Sequence, residues 1–324
     1  MTARARRCSA LAVAALLLTA CAPLEPDSRR SPSPSPSAAA EPTSATPSPT
    51  PTPTPTPTRT RTPATRPPSP AITVPESLRN RRPSGPVLGG DVSWPQCPKG
   101  MGIPQKKSLG IPMPLPQAKF VIIGLTNGPA FTPNPCLADQ VQWVRDRHLL
   151  AAAYAVTSFP DDRTLARYRD DGPFDGSTQL GALGNVGYQQ ARYNVANMRR
   201  AGLISPVVWI DVEPVSVFEW SNDPVANSAV VRGVARGYTD LGYRIGTYST
   251  QALWQSVVGD LRLGLPEWRA AGQTSRAEAL RRCGPARMYQ GGPGVLSQWV
   301  EANRDQNVTC PGTSANMLRW FHQY

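Results

Sequence analysis

The stretch 206–214, Pro-Val-Val-Trp-Ile-Asp-Val-Glu-Pro, ends a run of β-branched and aromatic residues in two carboxylates spaced i, i+2. Such a run reads as a buried strand, and side chains alternate faces along a strand. Asp211 and Glu213 therefore project to one side, roughly 6–7 Å apart. That separation suits two acids flanking a glycosidic bond. Repulsion from Asp211 would raise the pKa of Glu213, which is how a neutral general acid is kept beside a charged partner. The competing reading is structural: an Asp that caps the next helix and a Glu paired with an Arg, since ion-pair networks imitate active sites. Trp209 shares the parity of the two acids and is expected on the same face.

Positioning these acids requires a scaffold, and the sequence outlines one. Strands are expected at 87–93, 119–125, 149–156, 206–212 and 243–248, with weaker signals at 266–270, 287–290 and 307–309. Apolar residues at three- and four-residue spacing mark helices at 137–147, 188–201, 227–241 and 251–258. Gly202 and Gly242 stand where helix C-caps belong, just before the next strand. This alternation predicts an α/β fold, a TIM-type (β/α) barrel with some irregularity. In such barrels functional residues gather at the C-terminal strand ends. Asp211 and Glu213 stand at one such end, and Asp91, after Val-Leu-Gly-Gly, stands at another.

The first 86 residues have a different composition. Arg4, Arg6 and Arg7 precede the short apolar run 11–18, the pattern of an export signal spanning 1–20. The following Leu-Thr-Ala-Cys resembles the lipobox of bacterial lipoproteins, which implies cleavage before Cys21 and its diacylation. Residues 21–86 are rich in Pro, Ser, Thr and Arg and cannot bury a core, so they read as a disordered, extended spacer. Residues 87–324 supply one large domain. These features place the protein on the extracytoplasmic face of the cell membrane, lipid-anchored, with its head in the cell wall.

The formal charge of +12 does not argue for nucleic acid. Eleven of the 34 Lys and Arg but four of the 22 acids fall in residues 1–85, which leaves about +5 on the remainder. Those arginines are scattered at helical spacings rather than interleaved with aromatics. A modest positive field beside anionic wall polymers or lipid headgroups is the simpler reading.

Three motifs together resemble glycoside hydrolase family 25, the lysozymes that cut the β-1,4 bond after muramic acid. Gly89-Gly90-Asp91-Val92-Ser93-Trp94-Pro95-Gln96 is similar to their opening strand, and Asp211-Val212-Glu213 to the Asp-x-Glu pair of their fourth. Tyr248-Ser249 with Trp254, Tyr289-Gln290 and Asp305-Gln306-Asn307 resemble later strand ends in the same order. The resemblance implies Glu213 as general acid, with Asp91 and Asp211 beside it and Asp305, Tyr248 and Gln290 around the sugar. The chain departs from the family at 125–128, where Leu-Thr-Asn-Gly replaces the usual Thr-Glu-Gly. Asn127 can hydrogen-bond a sugar hydroxyl or acetamido group but cannot take a proton or stabilise an oxocarbenium charge. The segments 99–118 and 160–181 also lack a counterpart, which points to a glycoside-hydrolase-like branch of exported bacterial proteins.

Once Cys8 leaves with the signal and Cys21 is lipidated, Cys97, Cys136, Cys283 and Cys310 remain. An even number in an exported domain suggests disulfides. Of three connectivities, 97–136 and 283–310 fit best, because each pair brackets neighbouring strands. Neither Cys-x-x-Cys nor paired histidines occur, so no metal and no cofactor is expected. Sugar rings stack on aromatic faces, and Trp94, directly after the Asp91 strand, is the first choice for that role over core packing. Three functions fit these residues. One is a membrane-tethered, muramidase-like hydrolase of peptidoglycan. The second is a non-catalytic peptidoglycan- or glycan-binding lipoprotein, and the third an envelope scaffold whose carboxylates are structural. The sequence leaves the oligomeric state open.

Overall fold

Eight strands close into a ring in the computed structural model, which describes residues 85–324. The expected signal peptide 1–20, the lipidated Cys21 and nearly all of the spacer 21–86 lie outside the described residues. In chain order the ring comprises β1 (Leu88–Val92), β2 (Phe120–Gly124), β3 (Leu150–Val156), β4 (Val207–Asp211), β5 (Arg244–Ser249), β6 (Glu267–Gln273), β7 (Gly294–Glu301) and β8 (Arg304–Thr309). Strands β1 to β7 run parallel to their neighbours, and β8 runs antiparallel to both β7 and β1. The architecture is thus an α/β barrel of the TIM type with one reversed strand.

The helices are α1 (Leu137–Asp146), α2 (Asp162–Tyr168), α3 (Gln179–Arg200), α4 (Pro224–Asp240), α5 (Gln251–Val258) and α6 (Arg276–Arg282). Their starts follow sequence chemistry. The side chains of Asp161, Thr178, Asp223, Thr250 and Ser275 each accept from a backbone N–H of the first turn, which satisfies donors a helix cannot satisfy internally. Gly202 and Gly242 follow α3 and α4 with φ of +69° and +84°, the left-handed turn expected of C-caps. Helix α3 begins nine residues before the expected 188, and α2 lies wholly within the Pro- and Gly-containing segment 160–181.

Period-two alternation sorts the strand residues between two apolar layers. Phe120, Ile122, Val207 and Trp209 fill the barrel interior with Trp268 and Leu296, above Trp320 and Phe321. Val121, Ile123, Val208 and Ile210 face the helices, against Val141, Val144, Val231 and Val234. Each such side chain, fully buried, contributes about 1.5–3 kcal/mol. A short strand β9 (His322–Gln323) pairs antiparallel with the start of β3.

One expectation needs correction. No strand forms at 287–290, where Pro285–Arg287 is a 3₁₀ turn. The backbone N–H groups of Tyr289 and Gln290 donate to the Glu267 carboxylate and are not available to a ladder. The seventh strand is β7, which the sequence reading passed over. The disulfides join Cys97 to Cys136 and Cys283 to Cys310, with Cα separations of 5.6 and 5.4 Å.

Candidate active site

The C-terminal rim of the parallel strands encloses a pocket of about 500 Å³ into which Asp91, Asp211, Glu213 and Asp305 all project. Asp91 comes from β1, Asp211 is the last residue of β4, and Glu213 follows two residues later. Asp305 reaches the same rim from the start of β8, because that strand runs in reverse. It stands near a strand start rather than at the strand end that the motif order suggested. A larger recess of about 700 Å³ lies beside the starts of α3 and α4, lined chiefly by apolar groups such as Phe174, Leu180 and Val225. None of the four carboxylates borders it, so the chemistry belongs to the smaller pocket.

Asp91 is held by two amides. Its Oδ1 accepts from Gln298 Nε2 at 3.0 Å and from Asn307 Nδ2 at 2.6 Å. The orientation of both amides is forced from behind. Trp268 Nε1, which can only donate, is 2.7 Å from Asn307 Oδ1, and the Tyr248 hydroxyl donates to Gln298 Oε1 at 2.7 Å. These bonds favour the charged carboxylate, but burial and the nearby Asp305 outweigh them and push the Asp91 pKa well up.

Asp211 is buried, and its Oδ1 has no hydrogen-bond partner among the described residues. Burial first, then the charges of Glu213 and Asp91, raise its pKa well above the ordinary carboxylate range. The Glu213 pKa is raised to about 7, by burial first and then by Asp305, with Lys106 opposing. Asp305 thus acts on Glu213 from across the rim, and the repulsion between Asp211 and Glu213 falls on the deeper Asp211. Asp211 is the deeper of the adjacent pair, and its burial disfavours the charged form. Asp305 is also raised by burial, but less, and a hydrogen bond from the Gln96 side chain favours its charged form. The pocket thus gathers four carboxyl groups whose burial disfavours ionisation, with Glu213 poised near neutrality.

The remaining expected site residues divide. Trp94 and Tyr248 line the pocket. Three others do not contact its space. Trp209 is fully buried beneath it, edge-on to Trp268 and stacked on Trp320, with no face left for a sugar. Gln290 is buried, and its side chain bonds the backbone of Leu263 and Leu265. Asn127 is buried too: Oδ1 accepts from Ile103 N at 2.8 Å, and Nδ2 donates to Lys106 O at 3.2 Å. Where the lysozyme pattern has a carboxylate, this chain has a clamp on the segment 99–118.

Several groups in the site escaped sequence reasoning. Lys106 enters the pocket from that clamped segment, with Nζ 5.7 Å from the Trp94 ring centroid. Gln298 sits on β7, whose position the sequence reading missed. Tyr154, on β3, lines the pocket and hydrogen-bonds Ser93. The inward parity of Tyr154 was readable once β3 was placed, whereas no local signal marks Lys106. Among the described residues no group of three or more His, Cys, Asp or Glu is disposed to hold a metal ion.

Residues 180–278, which include Asp211 and Glu213, match a family model described as Lysozyme-like protein 1. No curated protein matches the chain. Among solved structures, the muramidase from Acremonium alcalophilum is similar at 14% identity and a TM-score of 0.46, over 72% of this chain and 99% of that one. The lysozyme from Streptomyces coelicolor is similar at 15% identity and a TM-score of 0.46, over 72% and 97%. The modular autolysin LytC from Streptococcus pneumoniae shares 13% identity with a TM-score of 0.43. That similarity covers 69% of this chain and 46% of the autolysin, less than half of that longer protein.

Proposed function

We propose that this protein is a muramidase-like glycoside hydrolase of the cell wall, tethered to the extracytoplasmic membrane face through a lipidated Cys21. The observation that carries the reading is Glu213, a carboxyl with a pKa of about 7 in a pocket shared with three other carboxyl groups. A general acid works best with its pKa near the working pH. The match of the segment holding Asp211 and Glu213 to a lysozyme-like family supports the same chemistry.

In this reading the Glu213 carboxyl gives its proton to the glycosidic oxygen as the C1–O bond breaks, and the bonding pair leaves with that oxygen. The sugar carbon gains oxocarbenium character, and ionised Asp305 stabilises the positive charge. Water adds to C1 and gives its proton to a pocket carboxylate. Asp91, fixed by Gln298 and Asn307, orients the substrate. Asp211 keeps the floor of the pocket acidic yet uncharged, and Trp94 supplies a stacking face.

The test is digestion of purified cell walls by the full chain and its Glu213→Gln variant. Release of reducing sugar by the wild type, lost in the variant, supports the assignment. Turnover that survives Glu213→Gln removes it. Glycan binding with no turnover in either protein supports the non-catalytic binding lipoprotein instead. For the tether, Cys21→Ala is expected to move the protein from the membrane to the soluble fraction, since acyl chains supply the affinity. Retention after signal cleavage would remove the anchor.

A further inference from the structure

Lys106 is the one cation among the described residues that line the carboxylate pocket. Among the described residues no carboxylate lies within ion-pair distance of it, although five ion pairs form elsewhere there. The segment that carries it is tied down along its length. The Cys97–Cys136 disulfide fastens its base. Ser108 Oγ donates to Pro95 O at 2.9 Å, and the Ser108 N–H donates to Met101 O at 2.8 Å. The Asn127 side chain grips Ile103 N and Lys106 O, on both sides of the turn. Gly128 has φ of +104°, and a Cβ there would meet Lys106 Cδ at 3.0 Å. The positive φ favours glycine there, and the lysine stem packs against the space that its missing Cβ leaves.

A held ammonium with no carboxylate in ion-pair contact, beside a pocket whose deeper acids are disfavoured from ionising by burial, is arranged to receive an anion. We infer that Lys106, set over Trp94 by the Asn127 clamp, binds a carboxylate of the glycan substrate and makes the site select carboxylate-bearing over neutral sugar chains. This rests on the proposed function and adds a substrate class to it. In wall glycan such a carboxylate has two sources: the lactyl group of a peptide-free muramic acid, and a free carboxylate of the stem peptide. The replacement of a carboxylate by Asn127 then has a use. It gives up an acid on the second strand's loop and anchors a loop that brings a positive charge instead.

The experiment is isothermal titration of the full chain carrying Glu213→Gln, which prevents turnover, with three glycans of equal length. They are a peptide-free muramic-acid glycan, a peptide-bearing glycan and a neutral N-acetylglucosamine oligomer. Adding Lys106→Met is expected to weaken binding of a carboxylate-bearing glycan about tenfold, as for loss of one charge-assisted hydrogen bond. Binding of the neutral oligomer should stay unchanged, and Lys106→Arg should retain the preference. Whichever of the two anionic glycans loses affinity identifies the source of the carboxylate. An equal loss for all three glycans, or no loss for any, overturns the inference and leaves the hydrolase reading standing. If the Glu213→Gln protein with Lys106 intact binds none of the three, and wild type cleaves no wall, both fall together.

Discussion

Two pairs of charged side chains in this barrel share one spacing and have opposite fates. Asp211 and Glu213 are i, i+2 at the end of β4, and Glu267 and Arg269 are i, i+2 on β6. The second pair is almost wholly buried and meets at 2.7 Å. Glu267 also accepts from the N–H groups of Tyr289, Gln290 and Gly292, and Arg269 donates to the carbonyls of Arg282, Gly284 and Gly292. Its charges are spent on fastening the segment before β7. Among the described residues the first pair has no cationic partner at ion-pair distance, and Asp211 Oδ1 has no hydrogen-bond partner. Spacing on a strand puts two groups on one face. Only the completeness of their hydrogen bonding separates a structural pair from one kept for chemistry.

The largest expected effect falls on turnover. Glu213→Gln should lower the wall-cleavage rate by about 10²–10⁴, with a thermal midpoint close to wild type. A rate within tenfold of wild type would erase the contrast, because Glu213 would then be no more reactive than Glu267.

Glu267→Gln should do the reverse. It leaves a buried Arg269 without its counter-charge, a defect worth about 3–5 kcal/mol of stability. Denaturant unfolding should show that loss, while turnover per folded molecule at low temperature stays near wild type. A cost below about 1 kcal/mol would mean that the guanidinium's carbonyl contacts suffice without the carboxylate, against the penalty expected for an unpaired buried charge.

How legible the contrast was in the sequence depends on the residue. The β4 acids stood out because Val, Ile and Trp alternate through a strand buried on both faces, and Asp91 because glycines precede it at another strand end. The Glu267–Arg269 pair was hidden, since its partners are backbone groups about 13–25 residues away, within and on either side of the segment 287–290 that reads as a strand. That misreading displaced β7 and with it Gln298. In β7 the polar Ser297 and Gln298 are buried, which blurs the alternation that marks a half-exposed strand. Lys106 was invisible for a related reason. Its placement depends on Asn127 and a disulfide, and neither leaves a periodic trace near residue 106.

A smaller effect tests why Asp211 is kept. Its pKa is raised on folding, so the native state holds a proton that the unfolded chain releases. That contribution to stability is complete below the ordinary carboxylate pKa and declines as pH rises toward the folded value. Asp211→Asn removes the penalty of keeping an acid there. Its stability relative to wild type should rise between pH 5 and 8, by about 1.4 kcal/mol for each tenfold difference in proton affinity between the folded and unfolded chain. Turnover should fall at the same time, the usual cost of stabilising a strained site. A stability difference independent of pH would show that folding leaves the proton affinity of Asp211 unchanged.

The smallest effects are displacements of the pH–rate profile, and they decide which neighbour tunes Glu213. In its proposed role as general acid it must be protonated, so activity should decline as pH rises through about 7. Ionised Asp305 disfavours a second negative charge. Asp305→Asn should let Glu213 lose its proton earlier and move the basic limb to lower pH, together with a lower maximal rate. Lys106 favours the ionised form, so Lys106→Met should move the same limb to higher pH. Asp211→Asn should move the limb less, because burial already disfavours the charged form of Asp211. Each displacement should be below about one pH unit, since these groups act through Coulomb interactions at a partly solvated rim. The measurement is a pH series on soluble wall fragments at fixed ionic strength for all three variants. If Asp211→Asn moves the limb down and Asp305→Asn does not, the two acids of β4 titrate as the coupled pair. The proton relevant to catalysis would then belong to that pair rather than to the two sides of the rim that β4 and β8 bring together.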